Sequence, residues 1–350
     1  MSTIHTTLSF LLFFIFNYHD VFAIPTTYLC RPEQRNALLE FKNEFEIRNS
    51  SSLYCSNNRG SKVSFYSKTE SWKNNTNCCY WDGITCDAKT GKVVELDLSC
   101  SRLHGRFHSN SFQNLGSLTI LDLSSNGLYG QIFFSVRKLS NLTSLKLSNN
   151  QFSGQIPSSV GKLSHLTSLT ISNNQFSGQI PYSVGNLSHL TSLTISNNQF
   201  SGQIPDSIGN LSRLVNLSLS GNNFAGEIPS TFGSLYQLAS LRVNFNNFSG
   251  NFPITLLNLT KLSYLSLSNN KFTGTLPPNM TSLSNLEYFD VDNNAFVGTF
   301  PSLTNLSSNS FTGMERSIKH GLSSDLRTLD ISSNKITVYW KYSDFLKYLS

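Results

Sequence analysis

Residues 150–173 read NQFSGQIPSSVGKLSHLTSLTISN, and residues 174–197 read NQFSGQIPYSVGNLSHLTSLTISN. The two stretches differ only at Ser158 against Tyr182 and at Lys162 against Asn186. A repeat of this length that contains L-x-x-L-x-L-x-x-N predicts a stacked solenoid, in which each unit buries its apolar residues against its neighbours. A function is then expected on a surface built from many units rather than in one catalytic cleft.

An asparagine closes each short strand of the predicted repeat. The positions that follow one another at a spacing of 24 residues are Asn126, Asn150, Asn174, Asn198, Asn222, Asn246, Asn270 and Asn294. In the unit that ends at Asn150, strand alternation points Leu145 and Leu147 inward. The asparagine amide has donors and an acceptor, so we expect it to pair backbone groups at the bend that no strand neighbour satisfies. Stacked units would then form a continuous ladder of amides.

The sequence is predicted to contain four segments. Residues 8–16 form an apolar run, and Val-Phe-Ala at residues 21–23 provides a cleavage site with small residues. Since a membrane span needs about 20 apolar residues, the run predicts a secretory signal peptide. The predicted segments are the signal peptide (1–23), an N-terminal cap (24–92), about ten repeats (93–336, one of them shortened near 302–313) and an atypical tail (337–350).

The cap is expected to cover the exposed end of the first repeat. Residues 32–45, PEQRNALLEFKNEF, predict a helix. The apolar face of that helix is expected to contain Leu38, Leu39, Phe41 and Phe45. Residues 48–70 are rich in Ser, Asn and Lys and predict a long mobile loop. Trp72, Trp81 and Ile84 follow, and they are expected to shield the first repeat from solvent.

The repeat pattern breaks after Asn294. The next candidate asparagine is Asn309, only 15 residues further, and Asn334 follows 25 residues after it. All cysteines lie at or before Cys100, so no disulfide-stapled cap is expected beyond the last repeat. An uncovered repeat would expose an apolar edge. We therefore expect the sequence to be a truncated or degenerate form of a longer repeat protein.

Composition and motifs argue against an enzyme and against a nucleic-acid-binding protein. The net charge is +6, but only 13% of residues are charged and no basic cluster stands out. A nucleic-acid interface would be denser and striped. His104 and His108 are four residues apart, but they lack the glutamate of H-E-x-x-H. No G-x-S-x-G motif or glycine-rich phosphate loop is present. We expect no catalytic residue, metal or cofactor.

Cysteines and glycosylation motifs point to the secretory pathway. The six cysteines allow fifteen disulfide pairings, and spacing alone does not choose among them. The adjacent Cys78 and Cys79 do not fit the C-x2-C spacing of zinc ribbons. Ten N-x-S/T motifs are candidate glycosylation sites. They are Asn49, Asn74, Asn141, Asn186, Asn210, Asn216, Asn247, Asn258, Asn279 and Asn305.

The repeat LxxLxxLxLSxNxFxGxIPxxxGxL resembles the plant-specific class of extracellular leucine-rich repeats. The segments PEQRNALLEFKNEF and SWKNNTNCCYWDGITCD look like the N-terminal cap of that class, and with LDLSCSRLHGRF they are similar to plant receptor-like proteins. This resemblance implies a curved right-handed solenoid of the α/β type with a helical disulfide cap. It also implies disulfides between Cys30 and Cys78 and between Cys79 and Cys86, and it leaves Cys55 and Cys100 open.

The same resemblance implies a recognition function. Receptor-like proteins have a repeat ectodomain, one membrane helix and a short tail without a kinase. They bind peptide or carbohydrate-derived elicitors on the concave strand face, and a kinase-bearing co-receptor completes signalling. The expected location is the extracellular face of the plasma membrane, or the apoplast for a truncated product. This sequence departs from the family because it lacks the interrupting island, the acidic juxtamembrane segment and the membrane helix, which puts its signalling competence in doubt.

Outward strand positions suggest where a ligand would bind. In the two near-identical units these positions carry only Ser, Thr and Asn, which discriminate poorly. Later units bring aromatic and charged residues, the usual anchors of binding surfaces. The candidate concave patch consists of Arg242, Asn244, Phe245, Tyr264, Glu287, Tyr288, Asp290 and Asp292. A glycan on the outward position Asn216 would favour ligand contact at neighbouring rows rather than at its own.

Two interpretations compete with a signalling receptor. A secreted inhibitor of a microbial cell-wall hydrolase, similar to polygalacturonase-inhibiting proteins, would share the cap and about ten repeats. Such inhibitors close with paired C-terminal cysteines, which this sequence does not contain. A non-signalling receptor fragment is the other alternative. The sequence favours the receptor and predicts a peptide, glycan or protein ligand with no nucleic-acid partner.

Overall fold

The computed structural model describes residues 29–48, 55, 66–107, 111–278, 280–299, 328–330, 333 and 335–337. The predicted signal peptide at 1–23, Asn309, Asn334 and most of the predicted tail at 337–350 lie outside this part of the chain. The described part forms a leucine-rich repeat solenoid. We call each 24-residue unit, counted from one ladder asparagine to the next, a coil.

Each coil contributes one strand to each of two long sheets. The eleven-stranded sheet contains β2 (Ile84–Cys86), β3 (Val93–Asp97), β5 (Ile120–Asp122), β7 (Ser144–Lys146), β9 (Ser168–Thr170), β11 (Ser192–Thr194), β13 (Asn216–Ser218), β15 (Ser240–Arg242), β17 (Tyr264–Ser266), β19 (Tyr288–Asp290) and β21 (Thr328–Asp330). The nine-stranded sheet contains β1 (Glu46–Ile47), β4 (Leu103–Arg106), β6 (Gly127–Gly130), β8 (Gln151–Gly154), β10 (Gln175–Gly178), β12 (Gln199–Gly202), β14 (Asn223–Gly226), β16 (Asn247–Asn251) and β18 (Lys271–Thr273). A short pair joins β20 (Val297–Thr299) and β22 (Lys335–Thr337).

Helices complete the coils. Most return segments are single 3₁₀ helices, and the described α-helices are α1 (Pro32–Asn43) in the cap and the short α2 (Phe133–Val136). The 3₁₀ helices are Lys68–Ser71, Cys78–Tyr80, Ser111–Leu115, Ser158–Lys162, Tyr182–Asn186, Asp206–Asn210, Ser230–Ser234 and Ile254–Asn258. Neighbouring coils approach closely here, because a Cβ on Gly185 would overlap the backbone carbonyl oxygen of Ser207.

Parallel pairing repeats through the solenoid in one register. In the eleven-stranded sheet Leu193 pairs with Leu169 on one side and with Leu217 on the other, so each partner is 24 residues away. The leucines at this position are buried, because strand alternation turns them away from the outer face of the sheet. Residues on either side of them, such as Ser192 and Thr194, share the opposite face. Any outward side chain therefore has a neighbour of the same register in the next coil.

The interior contains a column of phenylalanines. Phe176, Phe200 and Phe224 are fully buried, and their rings stack with centroids 6.4 and 6.1 Å apart. The same stacking runs from Phe152 to Phe296. Aromatic pairs at this separation add to the stabilisation from burial. The phenylalanine column therefore joins each coil to the next over most of the described solenoid.

The predicted asparagine ladder is present at all eight positions. In Asn174, the Nδ2 donates to the carbonyl oxygens of Leu147, Ile171 and Ser172 at 2.9, 3.1 and 3.2 Å. Its Oδ1 accepts from the N–H of Phe152 at 3.0 Å. The other ladder asparagines donate to the equivalent carbonyls. Because Leu147 and Phe152 belong to the bend before, each amide links two coils.

The cap closes the N-terminal edge of both sheets with antiparallel strands. β1 pairs with β4, and β2 pairs with β3, whereas the later pairings in the two sheets are parallel. Trp72 and Trp81 are buried against the first coil, with stacked rings 5.4 Å apart. Gln34 ties α1 to the first coil, since its Oε1 accepts from the N–H of Val93 at 2.9 Å and its Nε2 donates to Ser117 at 2.9 Å.

The disulfides settle the pairing that the sequence leaves open. Cys30 bonds to Cys78 and Cys79 to Cys86, as the family resemblance implies. Cys55 bonds to Cys100 and so joins the segment expected to be a loop to the first coil. That segment is also not wholly a loop, because residues 68–71 form a 3₁₀ helix.

A salt bridge adds a contact between cap and coil that sequence patterns do not predict. Lys68 Nζ lies 2.9 Å from Asp97 Oδ1 and also donates to the Asp97 carbonyl oxygen at 3.0 Å. Burial acts to raise the pKa of Asp97, but hydrogen bonds from Ser99 and Lys68 outweigh it, so the pKa lies below 3.8. The carboxylate is therefore stabilised more in the folded protein than in the unfolded chain.

Because the pKa of Asp97 is lowered on folding, its contribution should be complete above pH 3.8 and should be lost as the pH falls through the lowered folded value. We expect Asp97→Asn to be less stable than the parent protein at pH 6, and this difference to shrink towards pH 2. Urea unfolding at both pH values checks this. A stability difference that stays constant across the range would contradict the assignment.

The described C-terminal end corrects the expectation of a short extra repeat. Tyr288 in β19 pairs directly with Thr328 in β21, although 40 positions separate them, against the 24 between Tyr264 and Tyr288. The strand that follows β19 in the sheet therefore does not come from the repeat expected near 302–313. The chain interrupts its own repeat at this point, contrary to the expectation of a solenoid without an insertion.

Candidate recognition surface on the eleven-stranded sheet

The outward face of the near-identical coils is a plain hydroxyl surface. Thr143, Thr167 and Thr191 occupy one row, and each hydroxyl donates to the backbone carbonyl of the coil before it at 2.8 to 3.0 Å. These hydroxyls are therefore already used by the fold. The adjacent row carries Ser168 and Ser192. This part of the face provides neither aromatic nor charged anchors.

Three later coils place an aromatic column on the same face. Arg242, Tyr264 and Tyr288 lie on the adjacent strands β15, β17 and β19. The Tyr264 and Tyr288 rings are parallel within 1° and their centroids are 4.0 Å apart. The guanidinium carbon of Arg242 lies 4.1 Å from the centroid of the Tyr264 ring. We call these three residues the aromatic column.

Asp290 supports the aromatic column from below rather than facing a ligand. It is only 7% exposed, which corrects the expectation that it lies on the outer surface. Its Oδ2 accepts from the hydroxyls of Ser266 at 2.8 Å and Ser268 at 2.6 Å, and from Tyr288 at 3.4 Å. Alternation alone could not predict this burial, because the neighbouring serines of the previous coil enclose the carboxylate. The short serine side chains leave room for it.

Tyr288 is held in its neutral form. Burial raises its pKa well above 10, and the hydrogen bond with Tyr264 and the charge of Asp290 raise it further. A phenol beside a buried carboxylate keeps its proton and can donate it to that carboxylate. The stack of two rings is therefore fixed by hydrogen bonds as well as by ring contact.

The remaining predicted patch residues flank the aromatic column. Phe245 is 59% exposed and Asn244 is partly buried, accepting a hydrogen bond at its Oδ1 from the Ser220 hydroxyl at 2.5 Å. Glu287 is exposed, and Asp292 is partly buried with its N–H donating to Asp290 Oδ1 at 3.1 Å. Seven of the eight predicted residues therefore remain at least partly accessible on one contiguous region of the sheet.

The glycosylation motifs remain predictions. Six of the candidate asparagines are exposed, namely Asn74, Asn141, Asn186, Asn210, Asn216 and Asn258. Asn247 is partly buried and donates to Asn223. Asn49, Asn279 and Asn305 lie outside the described residues. Asn216 begins β13 and pairs with Ser240 of β15, so a glycan there would stand one strand away from the coil of Arg242.

A groove beside the nine-stranded sheet is a feature that sequence reasoning missed. It has a volume of about 760 Å³ and follows the Q-I-P segments of three successive coils, including Gln155, Gln179 and Gln203. The repeated Q-I-P motif was a signal for a regular surface here. Tyr182 lies at the rim with 68% exposure.

Two further observations concern metals and membranes. The sulfur atoms of Cys30, Cys78 and Cys79 lie within 4.8 Å of one another, which resembles a metal site. All three sulfurs are in disulfides, however, and so do not provide the thiolates that zinc binds. Among the helices of the described residues, none has the length and apolar character that a membrane crossing requires.

Comparison with known structures shows the same architecture in plant receptor ectodomains. The ectodomain of the Arabidopsis thaliana receptor kinase GASSHO1/SCHENGEN3, in complex with CASPARIAN STRIP INTEGRITY FACTOR 2, is 31% identical with a TM-score of 0.72. The match covers 87% of this chain and 33% of that one. The Arabidopsis receptor kinase HAESA, in complex with the peptide hormone IDA and the co-receptor SERK1, is 29% identical with a TM-score of 0.68 and coverages of 87% and 54%.

Family and sequence matches agree with the structure. The leucine-rich repeat region family matches residues 99–248, the leucine rich repeat N-terminal domain matches residues 31–56 and 61–87, and a further Leucine Rich Repeat matches residues 261–283. Receptor-like protein 35 of Arabidopsis thaliana is 59% identical over 135 residues, which is 38% of this chain and 14% of that protein. Receptor-like protein 9DC1 of Solanum pimpinellifolium is 42% identical over 127 residues, 36% of this chain and 15% of that protein.

The chain spans well under two thirds of the length of these relatives, since the matched parts amount to about one seventh of each. The similarity nevertheless joins the same features that the structure shows. They are the disulfide-bonded cap, the parallel strands with their asparagine ladder, and the exposed face of the eleven-stranded sheet. The chain belongs to the plant leucine-rich repeat receptor-like proteins.

Proposed function

We propose that this chain is the non-enzymatic recognition module of a plant receptor-like protein, located outside the cell. In this proposal it binds a peptide, derived from the plant, the cell wall or a microbe, on the outward face of the eleven-stranded sheet. A kinase-bearing co-receptor then joins, and the signal serves defence. The observation that carries the proposal is the aromatic column of Arg242, Tyr264 and Tyr288.

The geometry of the aromatic column suits ligand binding. Arginine and tyrosine are enriched among residues that dominate binding energy. Here the Arg242 guanidinium is already oriented by the Tyr264 ring, and Tyr264 is oriented by Tyr288. A ligand that contacts them does not have to immobilise three flexible side chains, which lowers the entropic cost of binding. Arg242 is exposed, so its N–H groups can reach a carbonyl or carboxylate of a peptide.

Related structures support a peptide over other ligand classes. The matched HAESA ectodomain is described in complex with a peptide hormone and a co-receptor, and PEPR1 with AtPEP1 has a TM-score of 0.72 to this chain. The plain hydroxyl rows of the earlier coils offer little selectivity by comparison. The ligand is therefore expected near coils 222–294 rather than at the near-identical coils.

Arg242→Ala is expected to weaken peptide binding about tenfold or more, since buried arginine anchors carry about 2 kcal/mol or more. Peptides are first selected on the secreted ectodomain from a phage-displayed library of random linear peptides, and the affinity of a selected peptide is measured by calorimetry. Lys146→Ala is a matched control, because Lys146 has the same register four coils earlier. Its effect should stay within about twofold.

Equal losses for the two variants would contradict a localised site, and no loss for either would contradict binding at the aromatic column. A library that yields no peptide would contradict a peptide ligand. The alternative of a secreted inhibitor predicts a different result. It would be supported by tight inhibition of a fungal endopolygalacturonase by the same secreted protein, with no peptide binding.

A further inference from the structure

The residue just before each ladder asparagine occupies a left-handed backbone conformation. Asn149, Asn173 and Asn197 have φ of 57°, 55° and 53°, and Asn269 and Asn293 have φ of 54° and 51°. Most side chains clash with the backbone in this region, and asparagine is one of the few residues that visits it readily. The choice of asparagine at this position therefore follows from the backbone that the bend requires.

These asparagines also form a second row of amide hydrogen bonds along the edge of the solenoid. The Nδ2 of Asn173 donates to Asn149 Oδ1 at 2.7 Å, and the Nδ2 of Asn197 donates to Asn173 Oδ1 at 2.8 Å. Further along, the Nδ2 of Asn293 donates to Asn269 Oδ1 at 2.7 Å. We call this the outer amide row, to distinguish it from the buried ladder.

Two consecutive coils interrupt the outer amide row. Gly221 and Phe245 occupy the position where the other coils have asparagine, with φ of 64° and 55°. The interruption leaves an amide at each side of the gap. Asn197 turns its Oδ1 towards Gly221, where a Cβ would overlap it. Within the described hydrogen bonds, this Oδ1 accepts none and the Nδ2 of Asn269 donates none, so an acceptor and a donor flank the gap.

Phe245 is the anomaly in this row. A phenylalanine at positive φ is costly, and asparagine at the same position would relieve the backbone and extend the outer amide row. The ring is also 59% exposed, so burial does not offset that cost. Strained residues of this kind concentrate where they serve binding or switching. The outlier thus points to a surface role for the ring.

We infer that Phe245 and its two flanking amides bind an extended peptide segment that crosses the edges of neighbouring coils. This rests on the proposed function and adds the ligand class and direction. An apolar peptide side chain packs on the Phe245 ring. One peptide N–H donates to Asn197 Oδ1, and one peptide carbonyl accepts from Asn269 Nδ2.

The spacing of the gap suits this ligand. Asn197 and Asn269 are three coils apart, and strands stacked about 4.8 Å apart place them about 14 Å from each other. An extended peptide rises about 3.3 Å per residue, so about four residues span that distance. Its middle residues then pass over Gly221, which presents no side chain, and Phe245. Arg242 and Asn244 of the same coil lie next to the path and connect it with the aromatic column.

The test uses the secreted ectodomain, a peptide selected on it as above, and two substitutions at one position. Phe245→Asn is expected to raise Tm by about 2 °C or more, because it relieves the backbone, and to weaken peptide binding about tenfold or more. Phe245→Ala keeps a Cβ at positive φ and removes the ring, so it should weaken binding similarly without the rise in Tm. Phe245→Tyr should keep the affinity within about twofold.

A double-mutant cycle between Phe245→Ala and alanine substitution of each apolar peptide residue identifies the partner of the ring. Coupling to one residue, with the Asn197→Gly and Asn269→Gly variants each weakening binding, is the expected result. Full affinity in both Phe245→Asn and Phe245→Ala, or a lower Tm in Phe245→Asn, would overturn the inference. If Arg242→Ala alone abolishes binding, the proposed function stands without it. If no variant affects peptide binding, both are overturned.

Discussion

Replacing Asn174 with alanine is expected to lower the free energy of unfolding by about 3 to 5 kcal/mol. The side chain satisfies three carbonyl groups and one N–H at the bends of two coils. Alanine would leave these buried groups without partners, and each such group costs about 1 to 3 kcal/mol. Urea unfolding of the secreted ectodomain, followed by circular dichroism, measures the change.

Asn173→Gly provides the matched control one residue earlier. Asn173 is exposed and bonds only to its neighbours in the outer amide row, and glycine accepts its left-handed backbone. We expect a loss of about 1 kcal/mol or less. Similar losses in the two variants would show that the buried ladder has no special weight, and a small loss for Asn174→Ala would show that water replaces the amide.

Phe200→Ala is expected to cost about 3 to 5 kcal/mol, as for other large buried aromatics. The ring is fully buried and stacks on Phe176 and Phe224. In a solenoid each coil contacts only its neighbours, so the damage should also uncouple the two sides of the chain. Hydrogen exchange measured by mass spectrometry should show faster exchange first in coils 174–222, and a broader unfolding transition.

Phe200→Leu is the control, because it retains most of the apolar volume and should cost about 1.5 kcal/mol or less. If the alanine variant unfolds in one sharp transition with uniform hydrogen exchange, then the coils are coupled by more than contact between neighbours. If the leucine variant loses as much as the alanine variant, stacking geometry rather than volume stabilises the column.

The repeated parts of the fold could be predicted from the sequence because they depend on short-range geometry. Leu145 and Leu147 alternate with polar residues, and Asn150 follows at the bend, so burial and amide pairing follow within a few residues. The same pattern in every coil then fixes the register of both sheets. The aromatic column was also foreseen as a set of outward residues, since strands of equal register stand side by side.

Features that depend on side chains from different coils could not be predicted. Asp290 faces outward by alternation, and only the serines of the coil before it explain why it is buried. The Cys55–Cys100 disulfide joins segments 45 residues apart, and the spacing gave no reason to prefer it. The direct pairing of β19 with β21 depends on which strand reaches the sheet edge, not on the count of residues between them.

Equal register across the coils gives the chain a simple route to new specificities. Because each coil offers its neighbours the same backbone and the same amide, a duplication of 24 codons adds one coil without disturbing the packing on either side. The near-identity of residues 150–173 and 174–197 has the appearance of such an event in the gene. One added coil moves the binding residues about 4.8 Å further from the cap while preserving their mutual arrangement. Gene copies can therefore vary the reach of the receptor and its chemistry separately.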